Sequence, residues 1–179
     1  MRRIGRSLLV FLFIALAASA NAGTRPGQGD LPPSYLGKDA HGDAVNVENL
    51  RGKVIIVTFW ATWCGYCMKE LPILGNLQQL AGNSQLQVVA VSHQESKDVF
   101  RQVRRRLDNL KLGLILTDDS DNSISRTYGV NGIPHMVMIG RDGRIAQVYR
   151  GYDESLLDDI VKNINRLLAE PAPPPSAAP

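Results

Sequence analysis

From Lys53 to Trp60 the chain reads KVIIVTFW, a run of β-branched and aromatic residues with no polar alternation. Such a run predicts a strand buried on both faces. LQVVAVS, Leu86 to Ser92, has the same character, and LGLILT predicts a shorter strand further on. Helical spacing takes over between these runs. MKELPILGNLQQLAG predicts a helix closed by Gly82, with a kink at Pro72. Glu95 to Leu110 has amphipathic spacing, and Asp121 to Tyr128 predicts a short helix. HMVMIGRDGRIAQVYR predicts a hairpin turning at Asp142-Gly143. DESLLDDIVKNINRLLA predicts a last helix with an acidic first turn. The order β-α-β-α-β-α-β-β-α implies an α/β fold, a central mixed sheet with helices on both faces.

The two ends depart from this pattern. Arg2, Arg3 and Arg6 precede an apolar run from Leu8 to Ala18, and Ala20-Asn21-Ala22 fits a signal-peptidase cleavage site. A signal peptide over residues 1–22 is therefore expected, with export to the periplasm. The apolar run is shorter than the roughly 20 residues of a spanning helix, which sets cleavage ahead of the alternative, an uncleaved membrane anchor. The C-terminal EPAPPPSAAP is too rich in proline and alanine to pack, so residues 171–179 read as a disordered tail. One domain over residues 23–170 remains, and roughly 150 residues suffice for a proper core.

Charge then narrows the function. The chain carries +3, and the three signal-peptide arginines account for all of it, 3 − 3 leaving the mature part near neutral. A nucleic-acid partner is not expected, because a binder needs a basic footprint. One cationic stretch, RQVRRRLDNLK with Arg101, Arg104, Arg105, Arg106 and Lys111, fits the solvated face of a helix; an acidic docking partner is the alternative.

TFWATWCGYCMKELP holds the only two cysteines, Cys64 and Cys67. As a staple the pair contributes little, since so short a ring removes little unfolded-chain entropy. Structural zinc requires four ligands, and His41, His93 and His135 are widely spaced. The pair does fall where the first buried strand ends and a helix begins. There, unpaired backbone N–H groups and the helix dipole favour thiolate over thiol. Cys64 is expected to be exposed and nucleophilic, and Cys67, one turn inside, shielded and resolving.

FWATWCGYC resembles the active-site signature of the thioredoxin superfamily. The wider span is similar to its exported TlpA/ResA-type branch, thiol–disulfide oxidoreductases associated with cytochrome c maturation and copper-protein assembly. GKDAHGDAVNVENLRGKVIIVTFWATWC resembles that branch's N-terminal β-hairpin and first core strand, and CMKELP its active-site helix. YGVNGIPHMVMIGRDGRIAQVYRGY resembles its cis-proline loop and closing hairpin, and Gln94 to Tyr128 its αβ insertion. The likeness covers nearly all of Tyr35 to Leu168.

The resemblance implies Cys64 as attacking thiol, Cys67 as resolving thiol, and Trp63 as part of an apolar docking rim. It implies that Pro134 is the cis-proline facing the disulfide, leaving the Ile133 backbone free to pair with an extended substrate. Glu70, three residues after Cys67, is either a proton acceptor for the buried thiol or an ordinary surface charge. Plain thioredoxin has a buried aspartate where this chain has Thr58. His135 replaces the usual threonine, and either hydrogen-bonds near the cysteines or fills the end of a strand.

The leading expectation is reduction of disulfides in exported client proteins by a monomer without a cofactor or metal, re-reduced by a membrane-embedded electron donor. A copper-binding chaperone using Cys64, Cys67 and His135, with Met136 or Met138, is the rival. A thiol peroxidase is disfavoured because Ala61 stands where peroxiredoxins place a threonine.

Overall fold

The computed structural model describes residues 25–172, so the expected signal peptide and most of the expected tail lie outside the described residues. In chain order the elements are β1 (Tyr35–Lys38), β2 (Ala44–Asn46), a 3-10 turn (Val47–Leu50), β3 (Val54–Trp60), α1 (Gly65–Ala81), β4 (Leu86–His93), α2 (Lys97–Asn109), β5 (Ile115–Asp119), α3 (Ser123–Thr127), β6 (His135–Ile139), β7 (Ile145–Arg150) and α4 (Leu156–Ala169). Five strands form one mixed sheet in the order β5-β4-β3-β6-β7. β3, β4 and β5 run parallel, while β6 is antiparallel to both β3 and β7. β1 and β2 pair separately as an antiparallel hairpin. This is the thioredoxin-like α/β architecture that the resemblance implied.

β3 and β4 are buried at every position, which accounts for their unbroken apolar runs. Alternation along each strand sorts their side chains onto two faces. On one face Ile55, Val57, Phe59, Val89, Val91 and Val137 pack against Leu36 of the hairpin and against Ile124 and Tyr128 around α3. On the other, Val54, Ile56, Val88, Met136 and Met138 lie under Leu74 of α1 and Ile160, Ile164 and Leu167 of α4. A third cluster closes the end of this second face. It joins Trp60, Cys64, Cys67 and Leu71 to Phe100 and Leu107 of α2.

Several boundaries shift for identifiable reasons. The strand expected from Leu112 begins at Ile115. Ahead of it, the buried Gln78 of α1 takes the Gly113 carbonyl with its Nε2 at 2.6 Å. The same side chain accepts the Val88 N–H at 2.5 Å and a bond from Gln87 Nε2 at 3.2 Å. One glutamine thus stands in on the side of β4 where β5 has not yet begun. α2 begins at Lys97 rather than Glu95, with the Ser96 hydroxyl capping Val99 N. α4 begins at Leu156, and Asp153 lies outside it, accepting from Ser155 N at 2.9 Å. α1 runs through Pro72, whose missing N–H falls opposite the Met68 carbonyl, and ends at Gly82 with φ +84°. The closing hairpin turns at Gly143, φ +82°, as the Asp-Gly pair predicts.

Candidate active site

Where β3 ends, the chain leaves the sheet through Ala61, Thr62 and Trp63 and re-enters helix at Cys64. That short crossing is pinned from a distance. Glu95, only 6% exposed, accepts both the Thr62 N–H and the Thr62 hydroxyl through Oε1, each at 2.5 Å. No local pattern links the two residues, which lie 33 positions apart. An acidic residue just beyond a buried strand is the one sequence signal for Glu95.

Cys64 is the N-cap of α1: its Sγ accepts the Cys67 N–H at 3.1 Å. The two cysteines are joined as a disulfide. Cys67 is fully buried and Cys64 is 7% exposed. Cys64 is thus the accessible member of the pair, but only narrowly, which corrects the expectation of an exposed thiol. The cause is the cluster in which the pair is packed, with Trp60, Leu71 and the partly buried Met68 and Ile133. Opening the disulfide would leave Cys64 at the positive end of a 17-residue helix, where thiolate is stabilised.

Glu70 is not a surface charge. It is 3% exposed, and the Thr58 hydroxyl donates to its Oε2 at 2.8 Å. Burial pushes its carboxyl up to about 7, against a smaller opposing effect of the Thr58 hydrogen bond. Thr58 is itself fully buried in β3. The strand position that carries aspartate in plain thioredoxin here carries a hydroxyl, and the carboxyl comes from α1 instead.

Around the cysteines the surface is aromatic. Trp63 is 65% exposed, which favours the rim over a core role, and Tyr66 is 60% exposed. Tyr66 packs on Tyr152, ring centroids 5.9 Å apart, and Lys69 Nζ lies 5.8 Å from the Tyr66 centroid. Tyr152 was not among the expected site residues, and its place follows only from the turn after β7. Opposite stands the Ile133–Pro134 bond, which is cis. Ile133 packs against the cysteine cluster and also against the core of the other sheet face. The Pro134 carbonyl accepts from Gly151 N at 2.8 Å, while the Ile133 N–H and C=O have no partner among the described residues.

His135 lies elsewhere. It opposes Phe59 in the β3–β6 register, and their rings meet edge-on at 5.9 Å. Phe59 belongs to the face opposite the cysteine cluster, so β6 alternation directs Met136 toward α1 and His135 away from it. Burial and the charges of Arg150 and Arg25 hold its imidazole down at about 4, so it is neutral at neutral pH. The copper ligand set of Cys64, Cys67 and His135 is therefore not assembled, because the sheet stands between the sulfurs and the imidazole. Met136 and Met138 are buried core residues in the cluster beneath α4. Among the described residues no other cluster of metal-ligating side chains replaces that set.

A buried C-x-x-C disulfide capping the first helix, a cis-proline loop opposite it and a five-stranded mixed sheet define a thioredoxin-like thiol–disulfide oxidoreductase. The chain belongs to the Redoxin family, which it matches over residues 27–168. It is 27% identical over 138 residues to the thiol-disulfide oxidoreductase ResA of Bacillus subtilis, covering 76% of this chain and 75% of that protein. Its fold is similar to that of a Chlorobium tepidum protein provisionally assigned as a thiol:disulfide interchange protein DsbE. The TM-score is 0.72 at 25% identity, over 80% of this chain and 99% of the other. A Neisseria meningitidis protein provisionally assigned as a thioredoxin also matches, with TM-score 0.63 at 27% identity, over 75% and 89% of the two chains.

Proposed function

We propose that this protein reduces disulfides of exported client proteins through the Cys64–Cys67 couple. The observation that carries the reading is Ile133, whose backbone is unpaired among the described residues and whose side chain packs against the cysteine cluster beside an exposed Trp63–Tyr66 rim. An extended client segment gains main-chain hydrogen bonds at Ile133 and apolar contact at the rim.

The chemistry runs from the dithiol form. Cys64 thiolate attacks one sulfur of the client disulfide, forming a mixed disulfide and expelling the client's other sulfur as thiolate. Cys67 then loses its proton and attacks Cys64 Sγ, expelling the second client sulfur and closing the Cys64–Cys67 disulfide. The client gains two electrons and the protein loses two. Ionised Glu70, one helical turn from Cys67, accepts the Cys67 proton, and a carboxyl poised at about 7 does so at neutral pH.

Further turnover requires two electrons from outside, and a membrane-embedded donor fits a chain carrying the signal-peptide pattern of residues 1–22. The setting we propose is that of a periplasmic monomer, with cytochrome c or copper-protein maturation suggested by the resemblance of its motifs to the exported TlpA/ResA-type branch. Trapping tests the reading. Cys67→Ser, incubated with a periplasmic extract, is expected to retain client proteins on Cys64 as thiol-labile adducts, while Cys64→Ser retains none. Absence of adducts, together with no reduction of insulin by the reduced wild type, would overturn it.

A further inference from the structure

A cavity of about 300 Å³ opens on the far side of the cis-proline loop, lined among others by Arg25, Asn131, Ile133, His135 and Arg150. Its wall holds hydrogen-bonding groups with nothing to bind. His135 is 2% exposed, and among the described residues its buried Nε2 has no hydrogen-bond partner. Among the described residues neither Arg25 nor Arg150 forms an ion pair, the pairs present being Arg101–Asp98, Arg104–Asp108 and Arg166–Glu170. The charges acting on His135 are these two guanidinium groups, with no carboxylate among them. Two unpaired cations and an unsatisfied buried imidazole at one concave site favour an oxyanion. Guanidinium groups bind carboxylates through charge-assisted hydrogen bonds, and the negative charge would in turn favour protonation of His135.

Ile133 connects this cavity to the disulfide. It lines the cavity and also packs in the cysteine cluster. A client strand pairing with its free backbone presents successive side chains to opposite sides. With the client cysteine turned toward Cys64, the residue next to it turns toward the cavity. Resting on the function proposed above, we propose that the cavity is a carboxylate subsite, selecting clients with an acidic residue adjacent to the disulfide cysteine.

The test uses the chain from Gly23 onward and two readouts. The first is reduction of peptide disulfides carrying Glu or Gln immediately before or after the cysteine. Wild type is expected to favour a Glu peptide roughly tenfold in kcat/KM, about the worth of one charge-assisted hydrogen bond. The ratio is expected to fall to near one in Arg25→Gln/Arg150→Gln. Equal kcat/KM for Glu and Gln peptides in wild type would overturn the proposal. The second readout is the His135 imidazole resonance, titrated on the oxidised protein with succinate or with a Cys→Ser Glu peptide. Its midpoint is expected to rise with the peptide in wild type and to stay fixed in the double variant. A midpoint unmoved by either probe removes the site. Movement with succinate alone assigns the cavity to a free small carboxylate and overturns the client assignment. Movement with the Glu peptide, while no disulfide is reduced, keeps the subsite and overturns the reductase reading instead.

Discussion

Thr58 of β3 donates its hydroxyl to Glu70 of α1 at 2.8 Å, inside the protein and one helical turn from the resolving Cys67. The strand side of this arrangement sets a proton affinity without carrying a charge of its own. The helix side carries the carboxyl, held up at about 7 by burial. A group so tuned can change protonation during a reaction at neutral pH, whereas a solvent-exposed glutamate stays ionised.

The first prediction concerns stability against pH. Folded Glu70 keeps its proton up to about pH 7, and its ordinary value is 4.5. The folded state thus holds the extra proton, and the stability this gives is complete below pH 4.5 and lost as pH rises through 7. The loss amounts to about 3 kcal/mol at most. Glu70→Gln retains a neutral, hydrogen-bonding side chain and is expected to abolish that slope. Urea denaturation of the oxidised protein between pH 4 and 8 measures it, and parallel profiles for the two proteins would contradict the assignment. In disulfide exchange, Glu70→Gln is expected to lose the pH dependence near 7 and to react more slowly at every pH above it.

Thr58→Val offers the complementary change. The Thr58 hydrogen bond lowers the Glu70 value against the larger effect of burial. Removing the hydroxyl is expected to move the Glu70 midpoint upward and to cost about 1 kcal/mol at pH 8. The carboxyl resonance of Glu70, followed across pH, reads the shift, and a downward movement would show that the hydroxyl does not act on the ionised form.

Glu95 holds the loop that delivers Cys64, through two bonds to Thr62. Glu95→Ala leaves the Thr62 N–H without its acceptor and is expected to destabilise the protein by about 2 kcal/mol. The rate of Cys64 alkylation in the reduced protein should rise as the loop loosens. Unchanged stability and alkylation would separate Glu95 from the site.

Trp63 and Tyr66 are expected to behave in the opposite way. Both are more than half exposed. Alanine at either position should alter stability by less than about 0.5 kcal/mol while raising KM for protein disulfides several-fold. Reduction of a small disulfide such as oxidised glutathione, which does not span the rim, should change little. Equal losses on large and small substrates would remove the docking role.

The redox couple itself is expected to be moderate. Gly65 and Tyr66 place no cation between the cysteines, and His135 is neutral on the opposite sheet face. The Cys64 value should lie above the roughly 3.5 of DsbA, and the potential should be more reducing than about −120 mV. Thiolate absorbance across pH and equilibration with glutathione measure the two quantities. A thiolate already formed below pH 5 would make this protein an oxidant.

Much of this was legible in the chain, and the misses have a common cause. Buried strands announce themselves through unbroken β-branched runs, and β3 and β4 fall within a residue of their expected limits. The copper set of Cys64, Cys67 and His135 with Met136 or Met138 overlooked that alternation along HMVMI turns Met136 and His135 to opposite faces. Periodicity along one element cannot show a partner on another. Glu70 stands in the early turns of a helix, where an acidic residue is ordinarily solvated, and only Thr58 on the neighbouring strand reveals it as a buried pair. Glu95 counted as the first residue of an amphipathic helix, yet it turns inward to Thr62. The β1–β2 hairpin, with strands of 4 and 3 residues, is too short for any period and came from the resemblance alone.

Gln78 has a consequence for the behaviour of the chain in a crowded compartment. β5 begins opposite Val89, so the first residues of β4 have no strand on that side. An unpaired strand edge is a template on which another chain can add, and it is most dangerous while many copies fold together. The Gln78 amide occupies that edge from within, holding the Val88 N–H with its oxygen and the Gly113 carbonyl with its nitrogen. A single buried side chain thereby closes this edge, satisfying backbone groups that further strand pairing would otherwise have to satisfy.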